Sequence, residues 1–153
     1  MITDDVKLVS NAFCDALQQV IKTCTGFELE IDYLDDENKF SEVIGAMSLI
    51  GNKNGMLFIS GKESDIQILN SYMTGSLNND VTKEDINDTL CEIVNMTAGS
   101  AKLRLGNSEY LFNLTSPYIL RGQNIQISTK KRVGIITKVL SGDSISLRMM
   151  IVL

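Results

Sequence analysis

The C-terminal third of the chain constrains the fold most, because it contains three β-rich apolar runs in succession. The runs are "NIQIST", "VGIITKVL" and "SISLRMMIVL", and only the short polar breaks "KKR" and "SGD" separate them. Strands joined by such short turns pair antiparallel, since a parallel pair needs a crossover of a dozen or more residues. The segment therefore predicts an antiparallel meander.

The last of these runs is apolar on both faces. Five apolar side chains alternate on one face and two more lie on the other: Ile145, Leu147, Met149, Ile151 and Leu153, then Met150 and Val152. A strand of this kind at an exposed edge would invite pairing with other chains. We therefore expect it to be central in the sheet or covered by helices.

The preceding two thirds of the chain combine helical and strand patterns. Apolar residues recur at three- and four-residue steps over 4–25 and over 62–75, and each segment ends at a glycine, Gly26 or Gly75. "SEVIGAMSLIG" and "GMLFISG" are joined by "NKNG", which predicts a hairpin, while "FELEIDY" and "EYLFNLT" predict two further strands. Helices and strands are grouped rather than strictly alternating, which favours an α+β fold over a doubly wound parallel sheet.

Size and charge limit the class of protein. The chain has 153 residues and no Pro/Gly/Ser-rich linker, so we expect a single domain over residues 1–153. Its net charge of −5, with no basic cluster larger than "TKKR", argues against nucleic-acid binding. Neither a secretory signal pattern nor an apolar run long enough to span a membrane is found in the sequence. The cytoplasm is the expected location.

The absence of histidine is the most restrictive compositional fact for chemistry. It excludes Ser–His and Cys–His nucleophile pairs and every metal site that uses histidine. The three cysteines, Cys14, Cys24 and Cys91, form no C-x-x-C pair, and we expect them to be small buried apolar groups in a reducing compartment. We predict no metal site, so any enzyme activity would use carboxylates, amides, hydroxyls, lysine or groups that a partner supplies.

Residues 82–105 predict a long amphipathic helix. Thr82 and Asp85 form a capping-box pattern at its start, and Gly106 follows its end near Leu105. At 100° per residue, one stripe collects the apolar side chains that should face the core: Ile86, Leu90, Ile93, Val94, Ala101 and Leu105. The opposite face collects Asp88, Glu92, Asn95 and Gly99.

This opposite face allows two interpretations. Glutamate and asparagine are common on surface helices, so an ordinary solvated face accounts for Glu92 and Asn95. A glycine inside a helix costs about 1 kcal/mol relative to alanine. Gly99 could allow the backbone of another protein to come close, or it could allow a close helix crossing within the same domain.

Two segments resemble a known family. "DTLCEIVNMTAGSAK" and "LTSPYILRGQNIQI" are similar to the CheX branch of the CheC/CheX/FliY chemotaxis phosphatases. That family's signature is Asp or Ser, three residues, Glu, two residues and Asn, with a proline about twenty residues later. Asp88, Glu92, Asn95 and Pro117 occupy these places. The resemblance implies a single CheC/CheX-like domain with a mostly antiparallel sheet packed against long helices, one of them exposed and carrying E-x-x-N. It also implies a homodimer.

The resemblance further implies an activity. Members of the family hydrolyse the aspartyl phosphate of a CheY-type response regulator. Asn95 would orient the attacking water, Glu92 would anchor the receiver's lysine, and Asp88 and Gly99 would contact the partner. No cofactor is expected on this chain, and Mg²⁺ is expected in the partner receiver's site. The alternative is a non-catalytic adaptor or dimerisation module of the same fold, binding a response regulator or a flagellar-switch component.

Overall fold

The computed structural model describes residues 3–32, 39–76, 80–130 and 134–153. Its helices and strands, in chain order, are α1 (Asp4–Thr25), β1 (Glu30–Asp32), β2 (Lys39–Gly51), β3 (Gly55–Gly61), α2 (Glu63–Thr74), α3 (Lys83–Leu105), β4 (Phe112–Leu114), β5 (Tyr118–Gln126), β6 (Ile135–Gly142) and β7 (Ile145–Val152). The predicted α+β fold class is confirmed. The predicted break "KKR" falls partly on residues 131–133, which lie outside the described residues.

The helix ends follow the expected local chemistry. Gly26 and Gly75 adopt the left-handed conformation after α1 and α2, with φ of 79° and 69°. Glycine adopts this conformation without the steric cost that a Cβ atom brings. At the start of α3, the Asp85 N–H donates to Thr82 Oγ1 at 3.1 Å and the Thr82 N–H donates to Asp85 Oδ2 at 2.9 Å. The predicted capping box is therefore confirmed.

The strands form a seven-stranded sheet in the order β1-β6-β7-β3-β2-β4, and β5 also pairs with β2. All six pairings are antiparallel. β7 lies between β6 and β3, so the predicted central position of the last strand is confirmed. The predicted hairpin between β2 and β3 is confirmed as well.

The predicted three-strand meander is wrong for its first strand. β6 and β7 form a hairpin, but β5 pairs with β2 instead of with its neighbour in sequence. Both sides of β6 are already occupied, by β1 and β7, whereas the 13-residue strand β2 offers a long edge. β5 also begins at Tyr118, earlier than the run "NIQIST" indicates. Pro117 lies in the break between β4 and β5.

The sheet buries apolar side chains on both faces. The main core combines the three helices with one face of the sheet. A second cluster lies on the other face and contains Phe40, Ile44, Ala46, Phe58, Met150 and Val152. This second cluster explains why the last strand is apolar on both sides. Among the described helices, none combines the length and the apolar character needed to cross a bilayer.

Candidate functional site

Helix α3 packs so closely on the sheet that its rotation is fixed. A Cβ atom built at Gly45 of β2 would lie 2.7 Å from Val94 Cγ2 and 3.1 Å from Leu90 Cγ. Only a residue without a side chain lets the helix come this near. Because Leu90 and Val94 face Gly45, the opposite side of the same helical turns faces away from the sheet.

The opposite side carries the four predicted residues, Asp88, Glu92, Asn95 and Gly99, which we call the α3 ridge. Asp88 and Glu92 are exposed, and Asn95 and Gly99 are half-buried. The apolar residues that the helical wheel assigned to the core are all buried. Glu92 and Asn95 are separated by about 4.5 Å along the helix axis, so both can contact one partner surface.

The polar groups of the α3 ridge are not used within the described part of the chain. Within the described ranges, no side-chain hydrogen bond or salt bridge engages Asp88, Glu92 or Asn95. Asp88 and Glu92 carry like charges four positions apart, an arrangement that costs an isolated helix about 0.2–0.5 kcal/mol. Folding therefore gains nothing from this pair, and both carboxylates are available to a partner.

A side chain at Gly99 would enter open space. A Cβ atom built there meets no described atom within 4 Å outside its own helix backbone and sequence neighbours. The alternative of a close helix crossing within the domain is therefore wrong for the described part of the chain. The space above Gly99 is open to another molecule.

The thiols near the ridge are not activated. Burial raises the pKa of Cys24, with a further contribution from Glu92, and burial and then Asp88 raise the pKa of Cys91. Burial also raises the pKa of Cys14. The expectation of burial holds for Cys14, whereas Cys24 and Cys91 are half-buried. All three are protonated at neutral pH, which disfavours nucleophilic chemistry because the thiolate is the reactive form.

A polar cluster at the start of α3 was not predicted from the sequence. Arg121 of β5 donates from Nε and Nη2 to Asn87 Oδ1 at 3.1 and 2.7 Å, and from Nη2 to the Lys83 carbonyl at 3.2 Å. Its Nη1 pairs with the Glu63 carboxylate. The cluster ties α3 to α2 and β5 next to Asp88. No local sequence pattern pointed to this cluster, because the side-chain partners of Arg121 lie 34 and 58 positions away in the chain.

Glu42 completes the cluster from β2. It sits at a break in the β2–β5 register with a φ of 64°, and its Oε2 accepts the Glu63 N–H at 2.5 Å. Lys62, the residue before α2, provides no side-chain cap, so Glu42 takes over that function from a distant part of the chain. The contact orients the N-terminus of α2.

The family model described as chemotaxis phosphatase CheX matches residues 43–140. The match covers more than half of the chain and includes the whole α3 ridge and Pro117. The chain belongs to the CheX family. Its place there confirms the resemblance on which the sequence interpretation depends.

Solved structures of CheX-family proteins share this fold. A CheX from Desulfovibrio desulfuricans matches with a TM-score of 0.80 at 20% identity, covering 94% of this chain and 97% of the other. A CheX from Vibrio vulnificus matches with a TM-score of 0.80 at 26% identity, covering 94% of each chain. A Borrelia burgdorferi CheX–CheY–BeF₃–Mg²⁺ complex matches with a TM-score of 0.77 at 22% identity, covering 94% of this chain and 96% of the other. No curated protein sequence matches this chain significantly.

Proposed function

We propose that this CheX-family chain is a phosphatase that hydrolyses the aspartyl phosphate of a CheY-type receiver domain. The observation that carries the proposal is the outward-facing pair of exposed Glu92 and half-buried Asn95 on the α3 ridge, neither of which has a side-chain partner among the described residues. The family's description as a chemotaxis phosphatase supports it. The complex of the Borrelia relative with CheY, BeF₃ and Mg²⁺ supports the choice of partner.

The reaction needs little from the phosphatase except positioning. Water attacks phosphorus, a new P–O bond forms, and the bond to the aspartyl carboxyl oxygen breaks, which releases a carboxylate and inorganic phosphate. Stabilisation of phosphoryl transfer comes mostly from orientation and electrostatics, so the helper group need not be a strong base. This requirement fits a chain that has no histidine.

Asn95 is the proposed water-orienting residue. Its carboxamide offers both an acceptor and a donor, so it can hold a water molecule in line with the phosphorus. A glutamine performs the same task in GTPases. The half-buried position of Asn95 favours a fixed side-chain orientation, because a more confined side chain has fewer rotamers to lose on docking.

Glu92 and Asp88 are the proposed electrostatic contacts. Glu92 would form an ion pair with the lysine of the receiver, which fixes the neighbouring Asn95 at the phosphoryl group. Asp88 extends the acidic side of the contact by one helical turn. Such charge complementarity contributes mainly to the association rate and the orientation of docking.

The metal ion of the proposed reaction belongs to the partner. The described residues include no group of three carboxylates or thiols arranged to hold a metal ion. Mg²⁺ would be bound in the receiver's own site, where it neutralises charge on the phosphoryl oxygens. We propose that this chain binds no cofactor of its own.

A dephosphorylation assay tests the proposal. The phosphorylated receiver is mixed with the wild-type chain, and inorganic phosphate release is followed against the receiver alone. We expect release to be faster with the chain present. Binding of the phosphorylated receiver without faster release would instead support the non-catalytic adaptor.

We also propose that the chain forms a homodimer through its sheet and acts in the cytoplasm. β5 pairs with β2 on one side, and no other described strand pairs with it. An open sheet edge of nine residues is a surface on which a second copy can add its strand. The three free thiols fit a reducing compartment.

A further inference from the structure

We propose that Leu103 is an apolar anchor of the receiver-docking surface on α3 and a determinant of which receivers this chain accepts; this inference rests on the proposed function. Leu103 is 84% exposed, more than any other large apolar side chain in the described part of the chain. The next most exposed, Tyr72, is 56% exposed and contacts the Phe27 ring.

Leu103 lies on the same face as the α3 ridge. It follows Gly99 by four positions and Glu92 by eleven, which places it within about 40° and 20° of them on the helical wheel. Leucine side chains in helices lean towards the N-terminus and cover the preceding turn. Leu103 therefore leans towards the ridge, and because none of its atoms comes within 4 Å of a Cβ atom built at Gly99, the space beside that glycine stays open to a partner.

The position of Leu103 on the helix is what makes its exposure informative. Single exposed apolar residues are common and need no explanation by themselves. Leu103, however, continues a face that carries an interior glycine and, with no side-chain partner among the described residues, two carboxylates and a carboxamide. The core positions of the same turns are filled by Ala101 and Leu105, so Leu103 is not a displaced core residue.

The four residues of the α3 ridge carry no apolar side chain, so Leu103 supplies an apolar contact that the ridge itself does not. Exposed charges steer and orient a partner, but most of the affinity of an interface comes from a few desolvated anchors near its centre. Asn95 and Leu103 are about 12 Å apart along the helix axis, a spacing that fits within one interface of about 800 Å² per partner. The fitting partner is a receiver with an apolar depression at that distance from its phosphorylated aspartate.

Truncation of Leu103 tests the inference. The affinity for a CheY-type receiver loaded with BeF₃ and Mg²⁺ is measured for wild type, Leu103→Ala and Leu103→Glu, together with kcat and KM for phosphate release. We expect Leu103→Ala to raise Kd and KM about tenfold, close to the loss of one buried leucine side chain, and Leu103→Glu to raise them further. The value of kcat should stay within about twofold of wild type, because an anchor contributes equally to ground state and transition state.

Two controls separate an anchor from a structural role. Ile50 of β2 alternates with Ile44 and Ala46 on the face of the sheet away from the helices and is 47% exposed, so Ile50→Ala should leave Kd unchanged. The loss in Leu103→Ala should be the same at low and high salt, whereas the loss in Glu92→Gln should shrink as salt screens its charge. Unfolding midpoints should match wild type for Leu103→Ala and Leu103→Glu.

The outcomes separate this inference from the proposed function. If wild type releases phosphate and Leu103→Ala has wild-type Kd and KM, the role of Leu103 is wrong and the phosphatase proposal stands. If wild type neither binds the receiver nor releases phosphate, the phosphatase proposal fails and the anchor fails with it. A tenfold rise in Kd that disappears at high salt would also contradict an apolar anchor.

Discussion

At the scale of one residue, Gly99 is the clearest case of a residue that lowers the stability of the fold and is expected to serve binding. Glycine in a helix interior costs about 1 kcal/mol relative to alanine, and a Cβ atom at this position would meet no described neighbour. Because the fold gains nothing from the missing side chain, we attribute the glycine to docking. A methyl group here would stand between the helix and an approaching receiver.

Gly99→Ala should therefore make the chain more stable and a weaker binder. We expect its free energy of unfolding in urea to rise by up to about 1 kcal/mol and its Kd for the receiver to rise several-fold. Ser100→Ala, next to it but off the ridge, is the matched control for binding. A more stable Gly99→Ala variant with unchanged affinity would remove Gly99 from the docking surface.

The side of the helix on which a residue lies was predictable from the sequence, because the helical period alone determines it. Asp88, Glu92, Asn95 and Gly99 face outward as the 100° step predicts. The Arg121 cluster was not predictable, because Arg121 meets Asn87 across 34 positions and Glu63 across 58. Patterns of neighbouring residues in a sequence do not predict contacts between residues so far apart in the chain.

At the scale of the element, the start of α3 depends on a carboxylate. Asp85 accepts hydrogen bonds from the backbone and the side chain of Thr82, and these bonds lower its pKa below the ordinary value of 3.8. A carboxyl group whose pKa is lower in the folded state stabilises the fold above its ordinary pKa. That contribution is lost as the pH falls through the folded value.

The free energy of unfolding should therefore depend on pH through Asp85. Above pH 3.8 the wild type should be more stable than Asp85→Asn, and this difference should narrow as the pH falls further. Urea unfolding of both proteins across this range measures the difference. Curves that stay parallel down to the lowest pH would show that the capping carboxylate adds no pH-dependent stability.

At the scale of the whole molecule, the packing of helices against a sheet was easier to predict from the sequence than the order of the strands within that sheet. Helix periodicity, glycine ends and the doubly apolar last strand were enough to predict an α+β fold with a central β7. The partner of β5 was missed because the choice between β6 and β2 depends on which strand edges the rest of the sheet leaves open. The second apolar cluster, on the face of the sheet away from the helices, was also hard to predict because its residues come from strands far apart in sequence.

The open edge of β5 leads to a prediction about assembly. We expect sedimentation analysis at micromolar concentration to give about twice the chain mass of 16.9 kDa, because pairing of two edges satisfies backbone groups that one copy leaves open. A single species at the chain mass would contradict the proposed homodimer. The phosphatase proposal does not depend on this result.

The most direct test of the account compares Asn95→Ala with wild type in phosphate release from the phosphorylated receiver, with binding measured on the same samples. Asn107→Ala, an exposed asparagine beyond the end of α3, is the control. We predict that the receiver releases phosphate no faster with Asn95→Ala than alone, although this variant binds nearly as tightly as wild type, and that Asn107→Ala behaves as wild type. An Asn95→Ala variant that accelerates release as well as wild type does would contradict the account, because the water would then be oriented by some other group.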